Sequence, residues 1–229
     1  MATIDPWTSP TALGAGESTA STFMAKVYRW MAAGLAITGA VAYGVANSEA
    51  AREIVFQRPV MWGLFFGQLL MVFLFNKAVR TASFGTVAAM FVAYCALIGV
   101  FISSAIYVYT AESVSTTFFI TGGTFLAMSA YGTLTKKDLT SWANFLMMGF
   151  IGVLIASVVN LFMHSDALGF IVSCAGVLVF TGLTAYDTQK IRAYADAGDD
   201  RLALSGALAL YLDFVNLFLM FLRFFGRRR

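Results

Sequence analysis

The chain has 229 residues, of which 59% are hydrophobic and only 12% charged, with a formal net charge of +3 and a mean hydropathy of +0.78. Soluble domains carry about 25% charged residues, so an ordinary soluble domain is excluded. No basic stripe with interleaved aromatics runs along the chain, so nothing points to nucleic acid as a partner.

Residues 1–22 are polar and small and lack both a basic n-region and a hydrophobic core, so no cleavable signal peptide is expected in them. They are expected to form a flexible N-terminal arm ahead of a transmembrane domain spanning 23–229. Seven apolar segments follow, at 26–47, 59–79, 84–109, 114–135, 140–163, 167–193 and 202–225. Each is long enough to cross a hydrocarbon core of about 30 Å with some tilt. Pro59 suits the first turn of the second segment, and Thr140 and Ser141 suggest a cap for the fifth. The runs are continuous and show no sustained period-2 alternation, which disfavours a β-barrel. Lipid offers the backbone no hydrogen bonds, so the predicted fold class is an all-α membrane protein with seven transmembrane helices. Gly63 and Gly67, Gly122 and Gly123, and Gly149 and Gly152 lie within segments and are expected to serve helix packing.

Basic residues set the expected orientation. Lys26, Arg29, Lys77, Arg80, Lys136, Lys137, Lys190, Arg192 and Arg201 fall at one end of the segments, read as cytoplasmic, so the N-terminus is expected inside. Arg223 and the run Arg227–Arg229 oppose this rule if the seventh segment crosses. Either that segment is re-entrant or it crosses despite its charge.

The chemistry concentrates in two aspartates within apolar helices. A carboxylate costs about 2.5–3.5 kcal/mol at the centre of a membrane helix on insertion scales, so such residues usually face the protein interior and carry function. Asp187 lies near the end of segment six, about 7–8 Å in from Arg192 at ~1.5 Å per residue. Lys190 is one turn away. An interfacial carboxylate paired with Lys190 is the structural alternative. Asp213 lies near the middle of segment seven, with no basic residue within a turn and Asn216 on the same face. Its alternative is a protonated acid acting as interhelical hydrogen-bond glue. If the two carboxyls meet they would share a proton, because like charges at close range resist joint ionisation. Such a pair is a proton-sensitive latch and, when ionised, an oxygen site for a hard cation such as Ca²⁺. Arg80, then Lys77, are candidate basic partners, with plain interfacial anchoring as the alternative. Cys95, Cys174 and the single histidine, His164, show no metal-ligand spacing and read as two buried small hydrophobes and an exposed loop residue. No cofactor is expected.

Several of these motifs resemble the Bax inhibitor family, in its bacterial branch. The match rests on Tyr186-Asp-Thr-Gln-Lys-Ile191, on Leu210-Tyr-Leu-Asp-Phe-Val-Asn-Leu-Phe218 with Leu222-Arg-Phe-Phe225, on Phe23-Met-Ala-Lys-Val-Tyr-Arg-Trp-Met31, and more weakly on Lys136-Lys-Asp-Leu139. The resemblance implies seven helices with the last one central. It also implies a pH-sensitive calcium leak gated by Asp187 and Asp213, with Tyr186, Lys190 and Asn216 in support and a basic latch residue near the end of the second helix, here Arg80. It suits a bacterial inner membrane. A non-conducting regulator that binds another membrane protein, such as a quality-control protease, is the alternative. An intramembrane aspartyl protease would need Gly-x-Gly-Asp where the chain has Leu210-Tyr-Leu-Asp213, so no enzymatic activity is expected.

Overall fold

A computed structural model describes the backbone of residues 10–229 and side chains from Ser18 onward. It contains eight α-helices: α1 (Pro10–Asn47), α2 (Glu49–Val55), α3 (Arg58–Thr81), α4 (Phe84–Val108), α5 (Ala111–Leu134), α6 (Ala143–Met163), α7 (Asp166–Arg192) and α8 (Asp200–Phe225). The seven long helices correspond to the seven apolar segments. The short α2 is an addition that the apolar pattern does not show. It is a polar turn, begun by the Ser48 hydroxyl accepting the Ala51 N–H.

Six of the long helices, all except α5, are long and apolar enough to cross a membrane among the described residues. The protein is therefore an all-α integral membrane protein. Within α5, Thr117, Thr121 and Ser129 are buried and form a polar face turned inward. Those residues lower its apolar character without exposing polar groups.

Local chemistry explains the helix starts. Ser83, Thr110, Ser165 and Asp199 each accept a backbone N–H from the first turn of the following helix. One expected start is corrected. Thr140 and Ser141 do not cap α6; they lie in a 3-10 turn, Leu139–Trp142, whose own cap is Asp138. α1 also starts earlier than expected. Residues 10–22 of the expected arm are helical, and residues 1–9 of it lie outside the described residues.

The most buried of the spanning helices is α8. It packs against α7, α1, α5 and α4 and touches α3, whereas α6 packs on the far side of α7. The end of the bundle that holds its first turn is defined by Lys26 of α1, whose Nζ lies 2.6 Å from Asp200 Oδ1. At the other end the chain leaves α8 as a short extended tail that pairs with Val108–Thr110, the turn between α4 and α5. One continuous helix thus joins the two ends of the bundle. Glycines do serve packing, but mostly not those singled out from the sequence. Gly63, Gly122, Gly123 and Gly152 face open space, whereas Gly149 packs on Val179 of α7, Gly67 touches Leu97 of α4, and Gly132, not singled out, presses on the α7 backbone at Ala185.

Candidate functional site

Asp213 is the one acidic or basic side chain that is buried among the described residues, at 5% exposure. It sits near the middle of α8, thirteen residues from Asp200 and twelve from Phe225 (213 − 200 = 13; 225 − 213 = 12). Asp187, half-buried on α7, faces it closely enough for the two carboxyls to share a hydrogen bond when one of them holds a proton. Oδ2 of Asp213 is buried and has no hydrogen-bond partner. A buried acceptor without a donor is costly unless a proton or a cation meets it.

The two helix positions differ in depth, yet the residues meet. The reason is an offset between the antiparallel helices. Gly206 of α8 sits against Ile191 of α7, where an added Cβ would lie 2.7 Å from Ile191 Cγ2. From that contact Asp187 is four residues along α7 and Asp213 seven along α8 (191 − 187 = 4; 213 − 206 = 7). That is about 6 and 10 Å of rise, a gap that side chains and helix tilt close. The first turn and a half of α8 therefore extends beyond its contact with α7, towards Lys26.

The residues flanking Asp187 anchor α7 to α5 and to the loop after it. Thr188 meets the Ser129 hydroxyl at 3.2 Å. The Gln189 amide spans the loop, donating to the Lys137 carbonyl (2.9 Å) and accepting the Leu139 N–H (2.8 Å). Arg192 donates to the Thr133 carbonyl. The Lys190 ammonium stands 5.6 Å from the Tyr186 ring centroid and near enough to Asp187 to act on its charge.

Other expected partners stand elsewhere. Arg80 and Lys77 are exposed at the end of α3, and neither makes an ion pair. Asn216 is half-buried and makes no hydrogen bond to Asp213. Cys95 and Cys174 are unpaired thiols. His164 caps α6 in a left-handed conformation (φ 51°). No group of three or more potential metal-ligating His, Cys, Asp or Glu residues occurs among the described residues.

Sequence reasoning missed a second polar cluster, on the other side of α8 from Asp213 and two residues before it. The Tyr211 hydroxyl is fully buried and lies 2.6 Å from Thr38 Oγ1, which also donates to the Cys95 carbonyl at 2.9 Å. It ties α8 to α1 and α4. Its only sequence signal was a tyrosine two residues before the aspartate.

The fold and site define an all-helical integral membrane protein whose central helix carries a buried carboxyl paired with one on its neighbour. A family model described as "Inhibitor of apoptosis-promoting Bax1" matches residues 20–229, and the chain belongs to this family, the Bax inhibitor family. It is 46% identical over 216 residues to the inner membrane protein YbhL of Escherichia coli, covering 91% of this chain and 92% of the relative. It is 42% identical over 214 residues to a protein of Borreliella burgdorferi (90% and 92% covered). An uncharacterized membrane protein of Streptococcus pyogenes serotype M1 is 34% identical over 214 residues (90% and 92% covered).

Proposed function

We propose that the protein is a pH-sensitive calcium leak of a bacterial inner membrane, gated by the proton held between Asp187 and Asp213. The single observation that carries this reading is the meeting of two carboxyls on adjacent helices, with Oδ2 of Asp213 buried and otherwise without a partner. With a shared proton the pair holds α7 and α8 together. Once both are ionised, mutual repulsion in a medium of low dielectric pushes the helices apart and leaves carboxylate oxygens for a hard cation.

Calcium here is cargo, not a resident cofactor. A stable Ca²⁺ site takes six to eight oxygens, and the nearby hydroxyls of Thr184 and Thr188 are already bonded to carbonyls of their own helix. Two carboxyls alone suit an ion in transit, which must bind weakly enough to leave. The same reading takes α1 and α3–α8 as seven crossings around α8, with the N-terminus cytoplasmic. α5 crosses because its polar face turns towards α7 and α8. Arg80 and Lys77 then serve the cytoplasmic interface, and the pair carries out no catalytic step.

The test is Ca²⁺ uptake into proteoliposomes followed across about pH 5 to 8. Wild type should show a pH-dependent flux, and D187N and D213N should each flatten that dependence. A flux absent at every pH, or unchanged in both variants, refutes the proposal.

A further inference from the structure

We propose that the crevice between α4 and α5 is a binding site for an anionic phospholipid, whose acyl chain lies against α8 and whose phosphate is held by the arginine tail at Arg227–Arg229.

Although α4 and α5 are consecutive, they do not pack on one another along their length. Between them lies a crevice of about 120 Å³, walled by α1, α4 and α5 and floored by α8. The floor runs from Leu222 to Phe214, eight residues (222 − 214 = 8), or about 12 Å of helix. The crevice opens to the side, where Gly39 and Phe118 of its lining are exposed, Phe118 at 45%. Apart from Thr38 the lining side chains are apolar, and the Thr38 hydroxyl is committed to Tyr211 and Cys95. Apolar cavities of about 150 Å³ stay dry and accept apolar ligands. In a bilayer the apolar ligand at a lateral opening is a lipid chain.

Above the crevice the charge is unbalanced. The tail Gly226–Arg229 crosses to the α4–α5 turn, whose neighbouring residues Ile106 and Val114 line the crevice. Its backbone is fixed there. Arg229 N–H donates to the Val108 carbonyl, Thr110 N–H to the Arg227 carbonyl, and Arg227 N–H to Ser113 Oγ, each at 3.0 Å. The three arginines are exposed and none is in an ion pair. A fourth arginine, Arg52, lies over the Tyr107 ring at 5.2 Å, and Tyr107 shares a shallow hollow with Arg228 and Arg229. Glu112 stands at the start of α5, and Glu49 and Glu53 flank Arg52 on α2, so the excess of positive charge rests on the three tail arginines. A lipid phosphate meets this excess at the depth where the crevice begins. This inference does not depend on the calcium reading.

The experiment is native mass spectrometry of the full chain in detergent, titrated with dioleoyl phosphatidylglycerol or dioleoyl phosphatidylethanolamine. Wild type should hold one phosphatidylglycerol in preference to phosphatidylethanolamine. Replacing all three tail arginines with serine should lower that preference roughly 10- to 100-fold, since each cation near an anionic headgroup contributes about fivefold. Gly39→Phe should lower retention of both lipids. A Cβ at Gly39 meets nothing within 4 Å, so the larger side chain can enter the crevice without disturbing the helices. Equal retention of the two lipids by wild type, unchanged retention in both variants, release of the lipid by inorganic phosphate alone, or a dimer in place of the lipid adduct would each overturn the proposal. Thermal unfolding of Gly39→Phe and of the serine variant identifies any loss caused by misfolding.

Discussion

Gly132→Ala tests the packing that sets the position of Asp187. An alanine Cβ there would stand 2.3 Å from the Ala185 carbonyl oxygen and 3.0 Å from its carbon, whereas ordinary contact begins at 3.4 Å. The obstacle is backbone, so no rotamer change relieves it, and α5 and α7 must separate by about 1 Å (3.4 − 2.3 = 1.1). Overpacking of this kind costs about 1–3 kcal/mol. The same movement stretches the Ser129–Thr188 hydrogen bond, now 3.2 Å, beyond useful range, at a further cost of about 1 kcal/mol. Alanine recovers about 0.5–1 kcal/mol of helix propensity, leaving a net loss of about 1–3 kcal/mol. Gly123→Ala, on the same helix but facing open space, is the control and should be neutral or stabilising by about 0.5–1 kcal/mol. Reversible unfolding in detergent, following both variants against wild type, reads the difference. If the two variants shift stability in the same direction by similar amounts, the close α5–α7 approach is wrong, and with it the anchoring of Asp187.

Thr38→Val removes the hydroxyl that satisfies buried Tyr211 and should cost about 1–3 kcal/mol. Tyr211→Phe in the same background should cost much less than it does alone, a coupling that a double-mutant cycle measures and that additive losses would contradict. Gln189→Ala frees the loop at Lys137 and Leu139 and should raise amide exchange of the Leu139 N–H without unfolding the bundle; protection equal to wild type would show that the amide does not hold the loop. Asp138 lies in this loop, and its carboxyl is held below the usual 3.8 by the Thr140 hydroxyl and backbone N–H. A depressed value means that its contribution to loop order is present above the unfolded-state value and is lost as pH falls through the folded one. An NMR titration of the Asp138 carboxyl should therefore have its midpoint below 3.8, and a midpoint at or above that value would show the cap to be absent.

Seven long helices were legible because apolar runs of about twenty residues have few other solutions. Both aspartates were legible because a carboxyl stands out against such runs. Partner geometry was not. The basic latch residue was sought by position along the chain, at Arg80, but nothing in a linear pattern fixes which way the end of α3 points. Lys190, by contrast, was legible as the cation beside Asp187, because it stands at i+3 on the same helix. Glycine packing was legible only in part, for a similar reason. A Gly-x-x-x-Gly spacing such as Gly63 and Gly67 marks a small-residue face, but whether another helix comes to it depends on tertiary arrangement. In α3 Gly63 stays open, while a Cβ at Gly67 would meet Leu97 of α4 at 4.0 Å.

On the proposed reading, the anchors of α8 bear on how the pair would act as a latch. At one end Lys26 holds Asp200, and Arg201 grips Asp199 at 2.8 Å and the Ala82 carbonyl at 3.2 Å. At the other end the tail is hydrogen-bonded to the α4–α5 turn. Between them Tyr211 is bonded to α1. Asp187, by contrast, belongs to a unit of α7, α5 and the Lys136–Leu139 loop, joined by Ser129, Gln189 and Arg192. Charge repulsion between the aspartates would therefore act across one boundary, between a helix fixed at three points and a body held to it mainly by side-chain packing. Packing against α8 can be lost without breaking a backbone hydrogen bond.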